Sequence, residues 1–190
     1  MKAAVVYSTL TGNTKKVAEA FCAGLGEGAE LFDVASAPSQ LDGYDLVVVG
    51  FWVDRGHPDQ KSMDFMKTVK GKKVFSLFTL GAKPASAHAF KCAYTSSSFY
   101  GEGCEQIGVW FCQGAIDPKL IERMRQMPAG GPHSANPENE ARWAAAATHP
   151  DAADLAAAAE AAKAVRQIVT GEDPYAELKA KMAAEAAKKA

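Results

Sequence analysis

Cysteine is sparse and never paired at short range. Cys22, Cys92, Cys104 and Cys112 form no Cys-x-x-Cys spacing, which argues against a zinc site and against a dithiol redox motif. Four small, buried or half-buried thiols are the plain reading. Net charge is nearly absent too. Lys and Arg number 21 against 22 Asp and Glu, leaving −1 at pH 7, which argues against electrostatic binding of nucleic acid. No apolar run approaches the ~20 residues of a membrane-spanning helix. No leader-like pattern opens the chain, because a strand-like run starts at Ala3. Together these absences predict a soluble protein of a reducing cytoplasm, with no nucleic-acid partner and no membrane span.

What is present begins at the first strand. Ala3-Ala-Val-Val-Tyr7 is an unbroken apolar run, followed directly by Ser8-Thr-Leu-Thr-Gly-Asn-Thr14. Beyond the loop, Val17, Phe21 and Leu25 recur every four residues, with Ala18 and Cys22 beside them, as an amphipathic helix requires. The order is strand, hydroxyl-rich loop, helix. A helix N-terminus carries unpaired N–H groups and a partial positive charge, which suits an anion. Gly12 lets the backbone turn close to a ligand, and Thr9, Thr11, Asn13 and Thr14 bring neutral donors. No Lys or Arg lies inside the loop, so a phosphate would be held by dipoles and hydrogen bonds. The lysine of a nucleoside-triphosphate loop is missing. The dinucleotide fingerprint is missing as well, and Gly24-Leu-Gly-Glu-Gly28 lies where the first helix should stop. A phosphatase loop would need a nucleophilic Cys and an Arg, and neither is there.

Along the chain, strand and helix patterns alternate. Strand candidates are 3–7, 29–34, 46–50, 74–78 and 107–112, and helix candidates are 62–70 and 85–94. Asp117-Pro118 supplies an N-cap and a Pro at the first helical position of another helix. Five strands alternating with helices specify an α/β fold, a parallel sheet covered on both faces. The 190 residues with 48% hydrophobic content suit one core plus added material. Residues 1–127 form that domain. Residues 128–190 form a helical extension packed on it. Within the extension, Asn136-Pro137 starts a short helix containing Trp143, and an Ala-rich helix spans Asp151 to Val169. The alanines there read as helix propensity.

Ligands of open parallel sheets sit beyond the carboxyl ends of the strands. Three segments line that edge: the first loop, Gly50-Phe-Trp-Val-Asp-Arg-Gly56, and Thr79-Leu-Gly-Ala82. Trp52 stands where the chain leaves the sheet and could lie flat on a planar, electron-poor ring. Asp54 and Asp59 would oppose negative charge on such a ring, while Arg55, His57 and Lys61 partly offset them. Gly81 would admit a ring edge to backbone N–H groups.

These three loops resemble the flavodoxin family over residues 1–127, with Thr-x-Thr-Gly-Asn-Thr as the most specific part. The resemblance implies noncovalent FMN at the switch point of a five-stranded sheet in the order 2-1-3-4-5. It places Ser8, Thr9, Leu10, Thr11, Gly12, Asn13 and Thr14 on the phosphate, Phe51, Trp52, Val53 and Asp54 on one side of the ring, and Thr79, Leu80 and Gly81 at its edge. It implies no catalytic side chain and no metal. Electron transfer between redox partner proteins, a reductase and an acceptor enzyme, is the implied function. An FMN-dependent oxidoreductase acting on a small acceptor such as a quinone is the alternative. Cys112-Gln-Gly-Ala-Ile-Asp-Pro-Lys-Leu120, with Met127-Pro128, also resembles a bacterial subgroup, some of whose members are associated with bile-pigment reduction.

Two departures from the family pattern stand out. Val53 occupies the place of a glycine whose peptide turns over on flavin reduction, and a β-branched residue resists φ > 0. Half-reduced flavin is therefore expected to be held less firmly. The 79–82 loop lacks a second stacking Tyr and has only Leu80, so that flavin face is expected to be more open.

Overall fold

A computed structural model describes residues 1–131 and 133–172. The Ala-, Lys- and Glu-rich end of the expected helical extension, beyond 172, lies outside the described residues. Strand β1 (Ala3–Tyr7) pairs in parallel with β2 (Ala29–Asp33) on one side and with β3 (Leu46–Asp54) on the other. β5 (Lys73–Leu80) and β6 (Glu105–Gln113) extend the sheet, giving the order β2-β1-β3-β5-β6. The order is the one expected, with a sixth strand added. That strand, β4 (His57–Pro58), folds back antiparallel on the end of β3. β3 therefore runs four residues past the expected end at Gly50.

Alternate residues of a strand face opposite sides of a sheet, and here both sides are covered. Val5, Tyr7 and Val48 pack with α1 (Asn13–Leu25) and α6 (Ala152–Thr170). Val47 and Val49 pack with Met66 of α2 (Gln60–Thr68). Farther along β3, Phe51 joins Phe78 and Leu80 against α3 (Ala87–Thr95). Two further helices, α4 (Pro118–Arg125) and α5 (Pro137–Ala146), lie between β6 and α6 in the chain. Each starts on the expected N-cap, Asp117 and Asn136, with Pro behind it.

The alanines of α6 do more than favour helix. Ala158 and Ala162 are fully buried, and α6 comes so close to α1 that a Cβ on Gly24 would sit 2.3 Å from Ala159 O. Gly24 therefore serves close helix packing, while Gly26, at φ 74°, is the C-cap that ends α1. Arg166 of α6 donates to Leu25 O (2.7 Å) and Glu27 O (3.0 Å), satisfying carbonyls at that helix end.

Candidate functional site

After β1 the chain crosses to β2 on one side, and β3 lies on the other. The loops leaving β1 and β3 therefore diverge, as they do at ligand-binding switch points. Between them lies a cleft of about 940 Å³.

One end of the cleft is the start of α1. Gly12 sits at the N-cap with φ 89°, no side chain caps the helix, and its first turn has no acidic residue. The first-turn N–H groups are thus left for an anion. The loop around them is braced from inside. Thr9 Oγ1 accepts from Gly12 N (3.0 Å). The Asn13 amide donates to Thr11 Oγ1 (3.0 Å) and to Ala115 O (2.8 Å). Thr14 Oγ1 pairs with Thr79 Oγ1 at 2.9 Å in a buried position. Ser8 Oγ donates to Asp59 Oδ1 (2.9 Å), and Asp59 caps α2 by accepting from Ser62. Asn13 and Thr14 thus spend their side chains on the protein, while the Thr9 and Thr11 hydroxyl hydrogens and the first-turn N–H groups are not used in these contacts.

The second wall is the extended end of β3. Trp52 pairs with Thr79 and Val53 with Pro58. The chain reverses over Arg55 (φ 52°) and Gly56 (φ 94°), the two positive φ values that a two-residue hairpin turn requires. Val53 is a strand residue and adopts no left-handed conformation. The glycine sits three residues farther on, where Cys92 Sγ donates to Gly56 O (3.2 Å). Burial raises the Cys92 thiol above its ordinary value, so it remains a neutral donor near pH 7.

The third wall comes from a region the sequence did not assign to the site. Ile116, Leu120, Met124 and Met127 line the cleft, with Trp143 of α5 and the cationic Arg123 and Arg142. A Cβ on Gly81 would meet Ile116 Cγ1 at 2.5 Å, so the absent side chain serves close packing of this wall on the β5 loop. Leu80 is 4% exposed, within the α3-side core. Ile116 thus stands against the 79–82 loop, where the sequence suggested an open flavin face. Arg125 and Glu140 join α4 to α5 through two contacts, Nε to Oε1 at 2.8 Å and Nη2 to Oε2 at 2.7 Å. Ala115 N donates to His149 O (2.8 Å), tying the end of α5 back to the loop.

Of the residues expected on the ligand, Thr9, Leu10, Thr11, Asn13 and Thr14 line the cleft, as do Trp52, Val53, Asp54, Thr79, Leu80 and Gly81. Ser8, Gly12 and Phe51 are not among its lining residues. Phe51 is fully buried and stacked on Phe78 at 5.0 Å between ring centroids. Asp59 is 3% exposed and turned to Ser8 and Ser62. One signal for the missed wall was in the sequence: Trp143 is the single large apolar residue of α5.

A family model described as a flavodoxin domain matches residues 4–163. The chain is 31% identical over 130 residues to the flavodoxin-like domain-containing protein BilS of Clostridioides difficile strain CD3, covering 67% of this chain and 74% of that protein. It is 29% identical over 175 residues to the BilS protein of Clostridium symbiosum strain WAL-14163, covering 83% of this chain and 92% of that one. A flavodoxin structure from the domain Archaea is similar in fold, with a TM-score of 0.50 and 15% identity over 90% of this chain and 99% of that one.

Proposed function

This chain belongs to the flavodoxin family, and on that premise we propose that it is an electron-transfer protein holding FMN in the cleft beside β1 and β3. FMN is the cofactor that goes with the family, and it supplies redox chemistry that the side chains do not. The observation that carries the reading is one cleft joining the uncapped N-terminus of α1 to the half-buried Trp52. The donor set suits the phosphate of FMN: first-turn N–H groups and the Thr9 and Thr11 hydroxyls, with no carboxylate in that turn.

The residues divide the work. Gly12 sets the left-handed turn that presents the N–H groups. Ser8, Asn13 and Thr14 hold the loop in place through their own partners. Trp52 provides a flat face for the ring, held by the Phe51 anchor in the core. Asp54 disfavours added negative charge at the ring, and Arg55 offsets it in part. Thr79, Leu80 and Gly81 form the floor between the two walls. None of these side chains needs to act as a nucleophile or a base. A reductase and an acceptor enzyme are the partners.

A second reading is an FMN-dependent oxidoreductase for a small acceptor such as a quinone. It is favoured by the reach of the cleft past the loops to Arg123, His133 and Arg142, which leaves room beside a ring. Purified protein, scanned for flavin absorbance and then mixed with NADH or NADPH with and without a quinone, separates the two. Electron exchange with a reductase but none with nicotinamide is the expected result. Nicotinamide-driven turnover of the quinone would favour the enzyme. A colourless protein that fails to bind added FMN would sink both readings.

A further inference from the structure

The sheet has two edges, and they are built in opposite ways. β2 is five residues long and carries charge. Glu30 pairs with Lys2 at 3.2 Å, and Asp33 caps the turn that follows. Short, charged edge strands are a usual protection against pairing with another chain. β6, at the other edge, is nine residues long. It holds no Pro, Lys or Arg, and its one charged residue is Glu105, at its start. The irregularity in its pairing lies near that start, opposite Val74 and Phe75, so Gly108 to Gln113 is regular strand. Among the described residues β6 pairs only with β5. One row of its backbone N–H and C=O groups is therefore unused by the sheet, flanked by the half-buried Val109, Trp110 and Phe111.

α3 extends this edge as an apolar ridge. Phe90 and Tyr94 stand four residues apart, on one side of the helix, and are 60% and 87% exposed. Phe90 packs edge-on against Phe111, with ring centroids 6.2 Å apart. Large exposed apolar groups, continuous with an unprotected strand, are the usual mark of an interaction surface. The strand also matches itself. Antiparallel pairing of β6 with its own copy, centred on Trp110, sets Val109 against Phe111 of the second copy and Gly108 against Cys112 of the second copy. Opposed residues then share a face: Val109 and Phe111 lie on the α3 side, Trp110 and Cys112 on the α6 side. β-Branched and aromatic residues pair favourably across strands. No charged residue lies between Gln106 and Gln113, so no like charges meet. The two-fold axis of such a seam is perpendicular to the sheet. It brings both α3 helices, with their exposed rings, to the same side of the joined sheet.

We propose that β6 is the subunit interface of a homodimer, in which two copies join edge to edge into one continuous sheet. The occupant is a second copy because the edge is self-complementary in residue type and in charge, as an interface between identical subunits requires. The seam is separate from the cleft. No residue of β6 lines it, and neither does Phe90 or Tyr94. The dimer therefore leaves the FMN site accessible and does not depend on the FMN reading.

The test is sedimentation velocity of the full chain over a roughly hundredfold concentration range, across which mass action shifts a monomer–dimer equilibrium. The mass should approach twice that of one chain. Tyr94→Arg changes a side chain too exposed to hold the fold and sets two like charges beside the seam. Association should weaken at least about tenfold. A second measurement needs no variant: amides of residues 108–113 should exchange more slowly as the wild-type concentration rises. A monomer at every concentration would overturn the proposal, and slow exchange of those amides in that monomer would mean that the edge is covered from within the chain. A dimer indifferent to Tyr94→Arg, with β6 amides exchanging alike at all concentrations, would place the interface elsewhere and overturn it equally.

Discussion

The two sides of the cleft are built differently. On the sheet side, the loops after β1, β3 and β5 pair their polar side chains with one another and rest on fully buried strands. On the far side, α4 and α5 are half-exposed, joined at the surface by Arg125 and Glu140, and carry the unpaired donor of Trp143. The contrast teaches that the sheet side is complete without a ligand. The far side leaves the buried indole N–H of Trp143 without a partner.

The largest expected effect tests the anchoring. Phe51→Ala should lower unfolding stability by about 3–5 kcal/mol, since it opens a cavity against Phe78. Truncating Leu120, which is 38% exposed on the far side, should cost under about 1 kcal/mol. Denaturant titration of both variants checks the difference, and equal losses would erase it.

Next comes the loop conformation. Gly12→Val places a β-branched residue at φ 89°, where strain of about 1–3 kcal/mol is expected. FMN affinity, read by fluorescence quenching, should fall at least about tenfold. Unchanged affinity would remove the loop from the phosphate site.

The internal pairing predicts a smaller and more pointed result. Thr14→Val leaves the Thr79 hydroxyl buried without its partner and should destabilise by about 1–2 kcal/mol. Adding Thr79→Val should recover most of that loss, because both polar groups are then gone. Additive losses would mean that the 2.9 Å contact is not an energetic unit.

The smallest effect concerns the far side and pH. Hydrogen bonding from Arg125, more than its charge, lowers the Glu140 carboxyl below its ordinary 4.5. A carboxylate lowered in the folded state stabilises above its unfolded value and loses that contribution as pH falls through the folded one. Amide protection in α5, corrected for the intrinsic slowing of exchange in acid, should therefore fall as pH drops, and Glu140→Gln should remove that fall while leaving melting near neutral pH almost unchanged. Exposed pairs contribute little.

Much of this molecule could be read in advance because the signals are local. The apolar run of β1, the four-residue spacing of Val17, Phe21 and Leu25, and the caps Asp117, Asn136 and Asp151 each act within one element. The loop from Ser8 to Thr14 was legible for the same reason. Phe51 was set beside the ring, together with Trp52, by the family resemblance. The period of two along an extended strand turns neighbours to opposite faces, and β3 extends through both. The hairpin over Arg55 and Gly56 was missed because neither Pro58 nor the charged residues around it suggest a strand.

By itself the sequence determined the alternation of the main strands and helices, the helix starts at Asp117 and Asn136, and a lysine-free, hydroxyl-rich loop behind the first strand, all through contacts within a few residues. Tertiary structure alone decided the rest. It assigned Asn13 to Ala115 across 102 positions and Thr14 to Thr79 across 65. It made small residues of Gly24 and α6 a packing surface, and it set Trp143 against the cleft. Those outcomes depend on how closely distant segments approach, and no local pattern carries that distance.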